Sequence, residues 1–156
     1  MLRGWIAALA TCALFAIAPA TARAEPRHTA YVDVLGKGGL WGLGYEYELF
    51  PRFALGGVAS YYALGGDHYT TLAPYAAVYP LGSGALRSLV QLGPQLVRHA
   101  TPSPVPEWDG MTSTHAGAAL CVGAEYRRGI VVRAYGMLEV GAHIAPWLGA
   151  SIGWSR

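Results

Sequence analysis

From Glu25 onward the dominant period of hydrophobicity along the chain is two. The clearest stretch is 40–49, LWGLGYEYEL, where Trp41, Leu43, Tyr45, Tyr47 and Leu49 alternate with Gly42, Gly44, Glu46 and Glu48. On a helix these two sets would mix around the circumference; a strand sends them to opposite faces of a sheet. Large apolar and aromatic residues opposite Gly and Glu suit a strand standing between lipid and a polar interior. The same parity recurs over 115–126, where His115, Gly117, Ala119, Cys121, Gly123 and Glu125 alternate with mostly aliphatic partners. It recurs again over 130–139, which sets Val131, Arg133, Tyr135, Met137 and Glu139 against Ile130, Val132, Ala134, Gly136 and Leu138.

Turn signals divide the chain after residue 24 into eight segments, and strands are expected at 28–36, 40–50, 53–64, 70–79, 86–98, 114–126, 130–139 and 145–155. The connections alternate in character. Phe50-Pro51-Arg52, Pro80 to Ala85 and Arg127-Arg128-Gly129 are tight, while His99 to Ser113 is long and rich in Pro and Ser. Short turns at one rim and longer loops at the other are the asymmetry of outer-membrane barrels, whose short turns are periplasmic. The turn around Lys37-Gly38-Gly39 is short although it falls at the outer rim. Tyr47, Phe53, Tyr126 and Trp154 fall on the apolar faces near the periplasmic strand ends, where an aromatic girdle sits. Pro74 and Pro94 lie inside expected strands, and a closed barrel has no edge to host them. A bulge or an early end to pairing is therefore expected between strands four and five, where the inward face of strand four is also ambiguous.

The residues before Glu25 read differently. One positive charge in Met1–Gly4, an apolar stretch from Trp5 to Ala18, Pro19, and small residues in Ala22-Arg23-Ala24 form a secretory signal peptide cleaved between Ala24 and Glu25. The expected domains are thus a leader over 1–24 and a barrel over 25–156. Leu9-Ala10-Thr11-Cys12 resembles a lipoprotein box but leaves too short an apolar run ahead of it. Removing the leader takes Arg3 and Arg23 and leaves nine basic residues against nine acidic ones. With no run of Lys or Arg, nucleic acid is a poor partner. The one remaining thiol, Cys121, reads as a small buried hydrophobe. Charged residues make up 13% of the chain, thin for a water-facing exterior when soluble domains carry about 25%.

Taken together, the mature region resembles the small eight-stranded outer-membrane β-barrels of Gram-negative bacteria. That resemblance implies an all-β, antiparallel up-and-down transmembrane barrel, exported by the Sec route and seated in outer-membrane lipids. The final segment GASIGWSR is similar to the signal by which the barrel-assembly machinery recognises its clients: Gly149, Ile152 and Trp154 fit its small, hydrophobic and aromatic slots, although the segment finishes in Arg156 rather than Phe or Trp.

The expected interior contains Asp33, Glu46, Glu48, Glu125, Glu139, Arg87, Arg133 and Gln91. Eight strands enclose a space about filled by side chains, so a packed polar plug is expected. Five carboxylates facing two arginines would leave charge uncompensated, and a narrow cation-preferring water path is the alternative. His68, His99, His115 and His143 gather near the outer loops with Asp67, Glu107 and Asp109, without metal-ligand spacing. Small outer-membrane barrels also include lipid A-modifying enzymes, one of which uses a Ser–His pair with a carboxylate. Ser113, His115 and Glu125 are the nearest match, in reversed order. The reading is an integral outer-membrane barrel with a structural or surface-interaction role, and no catalytic residue, cofactor or metal site is assigned. A soluble periplasmic lipocalin-like barrel binding a small apolar ligand, and a lipid A-modifying enzyme, are the rivals.

Overall fold

A computed structural model of the chain describes residues 27–82, 84–103, 109–141 and 144–156. The expected leader with its Ala24–Glu25 junction, and also Glu107, Trp108 and His143, lie outside the described residues.

Eight strands follow one another: β1 Arg27–Gly36, β2 Gly39–Phe50, β3 Phe53–Leu64, β4 Asp67–Val78, β5 Leu86–Thr101, β6 Met111–Arg128, β7 Ile130–Val140 and β8 Ile144–Ser155. Each pairs antiparallel with the next, and β8 returns to β1 to close the barrel. The closing seam runs from Thr29 opposite Ser155 to Val34 opposite Ala150. Below it, the backbones of His28 and Arg156 exchange two hydrogen bonds, of 2.8 and 2.9 Å. Closure leaves no strand edge, which is what a sheet needs where no water can satisfy its backbone.

The two faces separate as the alternation requires. Thr29, Tyr31, Asp33, Glu46, Glu48, Glu125, Val131, Arg133 and Tyr135 are buried inside, while Val32, Leu43, Tyr45, Leu55, Leu92, Val122, Val132 and Ile152 stand exposed outside. Polar inside and apolar outside inverts a water-soluble barrel and matches a lipid-embedded one. Tyr47, Phe53, Tyr126 and Trp154 all point outward at the ends of their strands near the short turns, as expected of the girdle. Strand four is resolved in favour of Thr71, Ala73, Tyr75 and Ala77 as its inner face, with Tyr79 buried just past its end.

Pro74 and Pro94 prove to be a matched pair. The β4–β5 register runs from His68 opposite Ala100 to Leu72 opposite Leu96, then resumes at Ala76 opposite Leu92. The register is unchanged across the gap, which places the two prolines across from each other. Neither ring nitrogen can donate, so facing them together confines the lost ladder bonds to one place. The pairing interruption expected from sequence is present, and it does not shift the strands.

The loop expected over 99–113 is shorter than read, because strand pairing takes up both of its ends and leaves 102–110 between β5 and β6. The β5–β6 ladder continues through His99 opposite Ser113 to Thr101 opposite Met111. At 16 and 18 residues, β5 and β6 are well beyond the about 9–11 residues a tilted strand needs to cross a bilayer. They therefore stand as a hairpin above the outer rim.

Candidate functional site

The interior is filled in two layers. In the layer nearer the short turns, β6 brings Glu125 and Arg127 inward, β5 brings Arg87, β7 brings Arg133 and β2 brings Glu46 and Glu48. Glu125 accepts from all three guanidinium groups: Arg87 Nε and Arg127 Nε at 2.7 Å to Oε1, and Arg133 Nε at 2.7 Å to Oε2. Glu46 Oε1 accepts from Arg133 at 2.7 Å and Arg127 at 3.2 Å, and Glu48 Oε2 accepts from Arg87 at 3.0 Å. Tyr79 donates to Glu46 at 2.6 Å, and its ring lies 3.5 Å from the Arg87 guanidinium carbon. Bidentate, multiply hydrogen-bonded geometry of this kind is what offsets the desolvation of buried charges.

The outer layer is organised by one turn. Leu35 adopts a left-handed backbone with φ 49°, a conformation unusual for a side chain other than Gly, Asn or Asp. The in–out alternation of β1 breaks there: Asp33 is buried, Val34 and Leu35 are exposed, and Gly36 is buried again. The bend tips the β1–β2 turn into the barrel mouth and turns Lys37 inward, leaving it only 2% exposed. Lys37 Nζ donates to Gln91 Oε1 at 2.8 Å, lies 3.9 Å from Asp33 Oδ1, and sits over the Tyr135 and Tyr75 rings at 4.4 and 5.1 Å. Ser60 Oγ donates to the Gly38 carbonyl at 2.6 Å, and Gln95 Nε2 donates to the Lys37 carbonyl at 3.0 Å. Tyr135 donates to Asp33, and Tyr31 and Tyr75 share a hydrogen bond of 2.7 Å in midbarrel. A side chain at Gly44 would overlap the Tyr31 ring, so this glycine makes room for the tyrosine layer.

These contacts correct the charge balance expected from sequence. Arg127 and Lys37, read as turn residues, both enter the lumen, and Glu139 lies at its outer end only half-buried. Four buried carboxylates (Asp33, Glu46, Glu48 and Glu125) therefore meet four buried cations (Lys37, Arg87, Arg127 and Arg133). The uncompensated charge that would have favoured a cation path is absent among the described residues.

Above the plug, the inner face of the β3–β4–β5 wall carries a ladder of rings. Tyr62 stacks on Tyr69 at 5.1 Å and 15°, and Tyr69 on His99 at 4.6 Å and 6°. His99 Nε2 lies 3.2 Å from Asp67 Oδ2. On the outer face, Tyr61 and His68 share a hydrogen bond of 2.8 Å. The expected gathering of His68, His99 and Asp67 at one rim is thus real, but each histidine is held by its own partner. Among the described residues no three metal-ligating side chains converge.

No family model and no curated protein matches the chain. Among solved structures, it is similar to Ail, the attachment invasion locus protein of Yersinia pestis, in complex with the heparin analogue sucrose octasulfate. The TM-score is 0.51 at 12% identity, covering 84% of this chain and 97% of that one. A second structure of Ail gives a TM-score of 0.49 at 12% identity, covering 84% and 95%. Ail is an eight-stranded outer-membrane barrel. At that identity the likeness is one of fold, and it agrees with the closed topology and the apolar exterior seen here.

This is the fold of a small outer-membrane barrel.

The soluble lipocalin-like alternative required apolar faces inward with Glu46, Glu48 and Arg133 outward, and the structure has them the other way round. The nearest match to a lipid A-modifying site, Ser113, His115 and Glu125, is not brought together. Ser113 and His115 stand on the projecting part of β6, whereas Glu125 is ten positions further down the same strand and fully engaged by arginines. At about 3.3 Å per residue, no carboxylate–histidine relay can span that separation. Cys121 is buried and unpaired, as its expected role as a small hydrophobe requires. Lys37 and Arg127 escaped the sequence reading; the Gly-Gly after Lys37 and the two-residue spacing of Arg127 from Glu125, which keeps both on one strand face, were the only signals for them.

Proposed function

We propose that this protein is a non-conducting integral barrel of the Gram-negative outer membrane whose role is structural or surface-interactive. In this reading residues 1–24 are the signal peptide, cleavage falls between Ala24 and Glu25, and residues 25–156 are the barrel domain. The barrel-assembly machinery reads β8, where Ile152 and Trp154 present their side chains outward. The observation that carries the proposal is the double plug, with Lys37 closing the outer mouth and the Glu46–Glu125–Arg133 cluster closing the half below it.

The surface available to a partner is the outer rim with the β5–β6 hairpin. The outer connections contain no Lys or Arg other than Lys37, which is buried, and they carry Glu107 and Asp109. Asp67 and Glu139 add to the same end, where Arg98 on β5 is the one exposed cation among the described residues. A rim of that sign does not suit the sulfated ligand bound by Ail; it suits a cationic or neutral partner. Purified barrel in planar bilayers tests the central point: no stepwise conductance is expected, and discrete ion-conducting steps would overturn a plugged barrel.

A further inference from the structure

The opposite rim is basic. Arg27, Arg52, Arg128 and Arg156 are all exposed at the short-turn end, and no exposed Asp or Glu accompanies them there among the described residues. None of the four makes a side-chain ion pair with a described residue, in contrast to Arg87, Arg127 and Arg133, which are each ion-paired inside. They cover the arc from β6 through β8 and β1 to the β2–β3 turn, while the β4–β5 turn, Tyr79 to Ala85, contributes no cation.

An open apolar groove of about 620 Å³ lies on the lipid-facing wall in the middle of this arc. Register explains it. Ile130, Trp154, Ala30 and Tyr45 form one outward row across β7, β8, β1 and β2, and Val132, Ile152, Val32 and Leu43 form the next row toward midmembrane. Ala30 is the one small side chain in its row, set between two large rings, so the surface is indented there down to the backbone of Gly44 and Gly153. Arg128 continues that row onto β6, opposite Ile130. Arg156 and His28, backbone-paired to each other, form the next outward row toward the rim. An apolar channel thus ends at a cluster of exposed cations, at the depth where a lipid's acyl chain gives way to its phosphate.

We infer that this groove binds one anionic phospholipid of the periplasmic leaflet, with an acyl chain over Ala30 between Trp154 and Leu43 and the phosphate met by Arg128 and Arg156. The inference rests on the membrane-barrel reading above. Arginine suits the role because its planar fork meets phosphate oxygens bidentately.

The test is native mass spectrometry of the barrel extracted in mild detergent, with phosphatidylglycerol or phosphatidylcholine added. One phosphatidylglycerol should be retained in preference to phosphatidylcholine. At about 1 kcal/mol per arginine near an anionic lipid surface, R128Q/R156Q should cut that retention roughly 10- to 30-fold. A30L should lower retention of both lipids by filling the channel, whereas R98Q, at the other end of the barrel, should change neither. Equal retention of the two lipids by the unaltered protein, or a double variant that binds as well as it does, would overturn the site. Displacement of phosphatidylglycerol by lipopolysaccharide would also overturn it. Gel mobility before and after boiling separates the levels: a mobility shift without lipid preference sinks the lipid site alone, and no shift in the unaltered protein sinks the barrel reading with it.

Discussion

Around Glu125 three guanidinium groups converge on one carboxylate, whereas at the outer mouth a single ammonium, Lys37, faces Asp33 at 3.9 Å with neutral amides and tyrosines for company. Both arrangements close the same lumen, and they differ in how their parts are delivered. The inner cluster is built from side chains on β2, β5, β6 and β7, each held in register by a continuous ladder. The outer plug hangs from one turn that enters the mouth through a strained residue. The first is over-determined, so removing one charge strands several others in a low-dielectric interior. The second is modular, and its carboxylate keeps other donors when the lysine is gone.

The largest expected effect follows from that contrast. E125Q keeps the shape of the side chain but leaves Arg87, Arg127 and Arg133 with Glu46 and Glu48 alone. Breaking a buried ion pair in this way costs about 3–5 kcal/mol. In a urea titration followed by the gel mobility of the unboiled protein, the midpoint should fall sharply. K37M should cost less, about 1–3 kcal/mol, because Asp33 retains the Tyr135 hydroxyl and the Gly38 amide at 3.4 Å. Equal losses for the two variants would break the comparison between a network and a plug. L35G tests the smallest term: relief of the left-handed backbone, about 1–2 kcal/mol, is opposed by the extra chain entropy of glycine, about 0.5–1 kcal/mol. The same titration should show a small gain, and a marked loss would mean that the Leu35 side chain, not its backbone, holds the turn.

Much of this was legible in the sequence wherever a strand was long enough to alternate. Glu46 and Glu48 could be sent inward because Trp41, Leu43, Tyr45 and Tyr47 had to face lipid, and Glu125 and Arg133 followed by the same parity. What escaped notice lay where parity fails or where an element was ended too early. Lys37 follows the irregularity at Leu35, and no periodic rule carries across a residue with positive φ. Arg127 was assigned to a tight turn, yet the ladder runs on to Arg128 opposite Ile130. The long β5–β6 hairpin was hidden by the Pro and Ser content of 99–113, a composition that marks loops on average and here coexists with paired backbone to Thr101 and Met111. Pro74 and Pro94 announced a defect between β4 and β5; that the two rings face each other is a matter of register, which sequence does not carry. The arginines at the short-turn rim were visible one by one, but their meeting with a groove over Ala30 depends on how β7, β8, β1 and β2 lie side by side.

A closed sheet embedded in lipid resists mild detergent and opens only on heating. Membranes from cells making the full chain are fractionated, extracted in mild detergent and run on a gel with and without boiling. A band is expected in the outer-membrane fraction whose mobility changes on boiling, as a detergent-resistant closed sheet requires. A protein recovered in the soluble fraction with the same mobility in both lanes would contradict a closed barrel embedded in lipid.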